Sequence, residues 1–137
     1  TALVVLNIDH FKRVNDSYGH PVGDAVLKTI VDTCRQQLRD SDLMGRLGGA
    51  EFAIQLPRTN LADALMVAER IRAAVEALPV KTERAVLQLT ASLGVTTIRA
   101  EDSTVSLFKR ADEALQAAKQ AGRNRVVEAQ GASTLDI

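Results

Sequence analysis

Aromatic side chains are nearly missing from this chain: one Tyr, three Phe and no Trp leave few rings on which a base could stack. Phe11 and Tyr18 are assigned to the core. Cysteine is as scarce. Cys34 is the only one, which excludes an intramolecular disulfide framework. It falls on the stripe Val26, Ile30, Cys34, Leu38 of a helical pattern, the place of a buried packing thiol. An excess of either charge is missing too. Seventeen basic and 17 acidic residues cancel, so no overall field attracts a nucleic-acid polymer or an anionic membrane, and any anion site must be local. No uninterrupted apolar run reaches bilayer length and no signal peptide is visible, which suits a cytoplasmic domain without direct membrane contact. What is there is 46% hydrophobic residues in a chain of 137, enough for one ordinary globular domain with a real core.

Periodicity gives the organisation. Ala2 to Ile8, ALVVLNI, reads as a strand. Val22, Val26, Leu27, Ile30, Val31, Cys34 and Leu38 recur at helical spacing behind Pro21, which a first helical turn tolerates, and this helix is expected to end near Arg39. Arg39 to Arg46 reads as a polar break and a strand. Phe52, Ile54 and Leu56 then alternate with Glu51, Ala53 and Gln55 as in a half-buried strand, so Gly48 and Gly49 form the tip of a hairpin, where positive φ suits glycine. A second amphipathic helix is expected from about Leu61 to Leu78, closed by Pro79. Val86 to Ile98 reads as one long strand. A third helix is expected over Val105 to Ala121, capped by Ser103 or Thr104 and stopped by Gly122, with a short strand at Val126 and Val127. This order is α/β (α+β): a ferredoxin-like βαββαβ palm-type core with an added C-terminal helix and strand.

The hairpin tip carries the sequence RLGGAEF, Arg46 to Phe52. Around it stand NIDHFKRVNDSYGHPVGDAVL (Asn7 to Leu27), RDSD (Arg39 to Asp42), TASLGV (Thr90 to Val95) and RADEALQAAKQAGRNRVV (Arg110 to Val127). In order and near spacing these segments resemble the GGDEF domain of diguanylate cyclases. The resemblance runs from about the second residue to Val127, so residues 1–128 read as a GGDEF domain and 129–137 as a flexible tail. The chain enters its first strand at once, without an initiator Met or the helix that precedes this strand in the family. It reads as a domain excised from a longer regulatory protein.

Two departures mark the signature as degenerate. The family has Asp or Glu after the two glycines, where this chain has Ala50; the first acid of the family's D-x-D pattern is Asn7 here, while Asp9 keeps the second. Making cyclic di-GMP from two GTP requires carboxylate-held Mg²⁺ to neutralise the triphosphate and activate a 3′-hydroxyl. The resemblance implies that the acids doing this converge from the positions of Asn7 and Ala50. An amide oxygen is an uncharged ligand and a methyl is none, and each loss of such stabilisation costs about 10²-fold to 10³-fold. Asp9 and Glu51 remain as acids, with Glu51 expected on the face opposite Ala50. No catalytic residue is therefore assigned, and Mg²⁺ is expected only where GTP binds.

The resemblance also implies two nucleotide sites. Asn15 and Asp24 would read a guanine edge, His20 would lie near base or ribose, and Lys12, Lys119 and Arg123 would hold phosphates; these residue types suit guanine donors and phosphate oxygens. Arg39 and Asp42 form R-x-x-D, five residues before the glycines, which matches the family's inhibitory product site, and Arg70 matches the position completing it. Arginine forks onto phosphate or a guanine edge and stacks on a purine. Each residue also has a plain structural use, at a helix end or as a solvated ion pair. The leading expectation is a catalytically inactive domain that binds cyclic di-GMP as a receptor or regulatory module. Its alternatives are a GTP-binding allosteric module, a nucleotide-free dimerisation scaffold, and a residual cyclase. Cyclic di-GMP, GTP, a second copy of the chain and other domains of the parent protein are the expected partners.

Overall fold

The computed structural model describes residues 1–129. Its elements are β1 (Ala2–Ile8), α1 (Phe11–Tyr18), α2 (His20–Arg35), β2 (Leu43–Gly48), β3 (Glu51–Leu56), α3 (Leu61–Glu76), β4 (Pro79–Lys81), β5 (Val86–Gln88), β6 (Ala91–Thr97), α4 (Thr104–Gln120) and β7 (Val126–Glu128). The main sheet has the order β2-β3-β1-β6-β7. Strand β1 lies between antiparallel partners β3 and β6, while β7 adds in parallel to β6. Taken alone, β1-α2-β2-β3-α3-β6 is the ferredoxin-like core, and α4 with β7 is the addition.

Alternation along β1 decides which helices cover which face. Val4, Leu6 and Ile8 are buried in one cluster with Val26, Ile30 and Cys34 of α2 and Ala64, Ala68, Ile71 and Val75 of α3. Val5 points the other way, into a smaller cluster with Ala111 and Leu115 of α4. The α4 contact is close because Gly94 lacks a side chain: a Cβ there would stand 2.3 Å from the Ala111 carbonyl oxygen and the Leu115 nitrogen. Burial pushes the Cys34 thiol up to about 12, so it is a packing group and not a nucleophile. Helix starts follow local chemistry. Asn60 Oδ1 accepts from Asp63 N at 2.8 Å, and Ser103 and Ser106 form a reciprocal capping box at α4.

Several boundaries differ from the sequence reading. Helix α1 was not anticipated. Helix α2 stops at Arg35 and continues as turns towards Leu38, and α3 stops at Glu76, so Pro79 opens β4 and does not close a helix. Val86 to Ile98 is two strands: β5 pairs with β4 in a separate hairpin and only β6 enters the main sheet. Phe11 is buried at 8% exposure and Tyr18 is half-buried against the same core, in line with their assignment. Of the tail, Ala129 N donates to Val95 O at 2.8 Å, and residues 130–137 lie outside the described residues. No described helix is long and apolar enough to cross a membrane.

Candidate functional site

Two cavities collect most of the residues singled out by the sequence. The first, of about 600 Å³, is lined by Asn7, Lys12, Asn15, His20, Asp24 and Arg123 together with Ala50 and Arg46 from the β2–β3 hairpin. Gly48 and Gly49 take φ of 154° and 53°, and Arg46 Nε donates to Gly49 O at 2.9 Å, which fixes the tip. Ala50 O accepts from Ile8 N at 3.1 Å, tying the tip to the end of β1.

Inside this cavity Asn15 is the telling side chain. Its Oδ1 is buried without a hydrogen-bond partner among the described residues, an expensive state that a ligand donor would relieve. It is accommodated because position 23 is glycine: a Cβ on Gly23 would fall 1.7 Å from that oxygen. Lys119 is the one member of the expected set that does not line this cavity. It acts on Glu51 instead.

Neither remaining acid, Asp9 nor Glu51, lines this cavity. Asn7 is the direct cross-strand partner of Glu51, so these two side chains share a face. Burial raises the Glu51 carboxyl above its ordinary value, Asp112 adds to this, and Lys119 opposes it; Glu51 thus looks towards α4, while Ala50 lines the cavity. Asp9 does not reach either group. It is 2% exposed, with Oδ1 accepting from Ser92 Oγ and Oδ2 from Thr90 Oγ1, both at 2.7 Å, and Oδ2 also from Asn124 N at 3.1 Å. Asn124 in turn donates to Glu76 and accepts from Arg72. Asp9 therefore bolts the left-handed pair Arg123 and Asn124, at φ of 64° and 48°, onto the sheet and α3.

The donor chemistry here does not fit a carboxylate-held Mg²⁺. Glu51 is a single acid beside a neutral amide, Ala50 offers no donor, and both oxygens of Asp9 are engaged. No cluster of three or more His, Cys, Asp or Glu suited to a metal occurs among the described residues. Mg²⁺ in phosphoryl-transfer sites is held by one or two carboxylates together with substrate phosphates, and no carboxylate of β1, of the residue after it or of the hairpin lines this cavity.

The second cavity, of about 380 Å³, is lined by Arg39, Asp42 and Arg70 together with Arg58, Thr59, Asp63, Met66 and Val67. Arg39 is held from several sides. Its Nη2 donates to Asp42 Oδ1 at 3.0 Å, Pro57 O at 3.0 Å and Thr59 Oγ1 at 2.9 Å, and its backbone N donates to Asp42 Oδ2 at 2.8 Å. The hydrogen bond and charge of Asp42 raise the Arg39 pKa. The Asp42 side chain is 2% exposed and that of Arg39 56%, so the acid is the buried anchor and the guanidinium the presented surface. Arg70 Nη2 donates to Gln37 O at 2.7 Å, from α3 back to the end of α2. Arg58 and Thr59 were not singled out by the sequence. The proline of Pro57-Arg58-Thr59 signals a turn but says nothing of where the arginine faces.

Residues 1–125 match the family described as "Diguanylate cyclase, GGDEF domain". Among curated proteins, the chain is 45% identical over 124 residues to diguanylate cyclase DgcP of Pseudomonas aeruginosa, covering 90% of this chain and 18% of that protein. It is 44% identical over 127 residues to response regulator PleD of Caulobacter vibrioides, covering 90% of this chain and 28% of that protein. It thus spans less than a third of either relative. Among solved structures, the GGDEF domain of DgcB from Caulobacter crescentus in complex with c-di-GMP superposes with TM-score 0.90 at 34% identity, over 95% of this chain and 78% of that one. Diguanylate cyclase SiaD from P. aeruginosa, in complex with its activator SiaC, superposes with TM-score 0.89 at 44% identity, over 93% of this chain and 49% of that one.

Proposed function

This chain belongs to the GGDEF domain family of diguanylate cyclases, and from that premise we propose that it is a binding member of the family, one that takes up cyclic di-GMP at the Arg39, Asp42, Arg70 cleft and no longer makes it. The observation that carries the reading is the contrast in polar groups: a guanidinium already aimed by four hydrogen bonds in one cavity, and the absence of Asp9 and Glu51 from the lining of the other. A guanidinium held in place loses little rotamer freedom on binding, which favours affinity. Turnover asks for charge at Asn7 and Ala50 that those residues do not supply. In the parent protein, occupancy of the cleft would be passed to another domain or to a second copy of the chain.

The experiment is titration calorimetry of the chain with cyclic di-GMP, repeated with Arg39→Ala. The expected result is binding at micromolar affinity or tighter that Arg39→Ala weakens at least ~100-fold, the loss of charge-assisted hydrogen bonds at an anchored site. Binding that survives the substitution would move the ligand elsewhere.

One observation favours a second reading. The unpartnered, buried Asn15 Oδ1 supports a guanine nucleotide in the larger cavity, with Asp24 at the base and Lys12 and Arg123 towards phosphate. In that case GTP is an allosteric input, and Asn15→Ala abolishes its binding while leaving cyclic di-GMP binding intact.

A further inference from the structure

Arg58 stands on the turn after β3 and lines the same cleft as Arg39 and Arg70. Its backbone is left-handed, at φ 50°, a conformation that is unfavourable for an arginine and that glycine or asparagine takes more readily. The cost is imposed from outside the residue. Arg39 Nη2 holds the carbonyl of Pro57 on one side of Arg58 and the hydroxyl of Thr59 on the other, and that hydroxyl also donates to Pro57 O at 2.9 Å. Strain of this kind persists where the surroundings over-determine it, and it collects at ligand clamps.

Nothing in the fold makes use of the arginine held this way. Arg58 is exposed and forms no ion pair or hydrogen bond with the described residues, whereas Arg39 is bound to Asp42 and Arg70 to the Gln37 carbonyl. The charges of the cleft make the same point. Two acids, Asp42 and Asp63, stand among its three arginines and neither forms an ion pair with Arg58, so the cleft carries net positive charge to which Arg58 contributes without a protein partner among the described residues. A cyclic dinucleotide carries two phosphodiester anions, and a cleft without net positive charge would gain little by Coulomb attraction.

We infer that Arg58 is a third ligand-binding arginine of this cleft, supplying a guanidinium without a partner among the described residues that meets a phosphodiester oxygen, and that its left-handed backbone is the cost of presenting it. This rests on the proposal that the cleft takes cyclic di-GMP, and the test separates the two. Calorimetry with cyclic di-GMP at several NaCl concentrations is run on the unaltered chain, Arg39→Ala, Arg58→Asn and Arg58→Lys, with thermal melts of each unliganded protein. Arg58→Asn is expected to weaken binding about tenfold and to flatten its salt dependence, while its melting temperature stays or rises as the backbone strain is relieved. Arg58→Lys should recover part of the affinity and all of the salt dependence. Arg58→Asn with unchanged affinity and salt dependence, while Arg39→Ala abolishes binding, overturns the role of Arg58 and leaves the cleft. A lowered melting temperature that accounts for the lost affinity makes the residue structural. Failure of the unaltered chain to bind removes the cleft reading itself, and the inference with it.

Discussion

The two cavities are built from the same materials, arginines, acids and short turns, yet their polar groups are in opposite condition. In the cleft beside α3 the central guanidinium is saturated on one edge by Asp42, Pro57 and Thr59, so a ligand would meet a surface already assembled. In the cavity at the hairpin tip the buried Asn15 amide oxygen lacks a partner, and the positions that should carry charge hold an amide and a methyl. Under the function proposed above, the difference teaches that a recognition surface can persist where a reaction centre does not. Hydrogen bonds within the protein preserve the first, whereas the second depends on side chains that only a metal and a substrate would use.

The largest effect should come from putting the acids back. Asn7→Asp with Ala50→Glu is expected to raise Mg²⁺-dependent conversion of GTP to cyclic di-GMP by at least ~10²-fold over the unaltered chain, and each single substitution by much less. Product chromatography after incubation with GTP reads this directly. Activity in the unaltered chain equal to that of the double variant would erase the contrast between the cavities.

A middle-sized effect is expected at Gly23. The Cβ of Gly23→Ala would collide with Asn15 Oδ1, and the displaced amide should cost GTP or GDP at least ~10-fold in affinity, the scale of one lost buried hydrogen bond. Cyclic di-GMP affinity should not move, since Gly23 does not line the arginine cleft. Parallel titrations with both ligands sharpen the comparison, and equal losses would join the two sites.

The smallest effect concerns Glu51. Its folded pKa lies above the ordinary glutamate value of 4.5, chiefly through burial and then Asp112, so the folded state holds its proton to higher pH than the unfolded chain. Stability from this group therefore falls as pH rises through and above 4.5. Glu51→Gln should melt slightly higher than the unaltered chain at pH 7 and lose that advantage below pH 4.5. An advantage that instead grows on acidification would contradict the burial of this carboxyl.

The core of the fold was legible because its signals are periodic. Val26, Ile30 and Cys34, or Phe52, Ile54 and Leu56, declare a buried face by spacing alone. Helix α1 was not, since FKRVNDSY buries only Phe11 and Val14 and is too short and polar to show a stripe. The break between β5 and β6 hides in a continuous apolar and β-branched run, and becomes visible only when Asp9 N takes the Thr90 carbonyl. At the sites, motif residues gathered as expected except Lys119, whose helical phase aims it at Glu51. Arg58 was missed for another reason. Its distinction is a backbone angle that Pro57 and Thr59 impose through Arg39, and no residue pattern encodes it.

Asp9 sits two residues from Asn7 and looks on paper like its twin, but the fold treats them as different classes of part. Replace Asn7, and no buried donor is stranded; replace Asp9, and two hydroxyls lose their acceptor while the Asn124 backbone N–H is left with Ser92 Oγ alone, which weakens the grip on the turn that carries Arg123. Mutational tolerance thus differs sharply between the end of β1 and the turn that follows it. The bonds that hold the architecture do not pass through the side chains of Asn7 or Ala50, so the fold does not depend on what chemistry the hairpin tip carries.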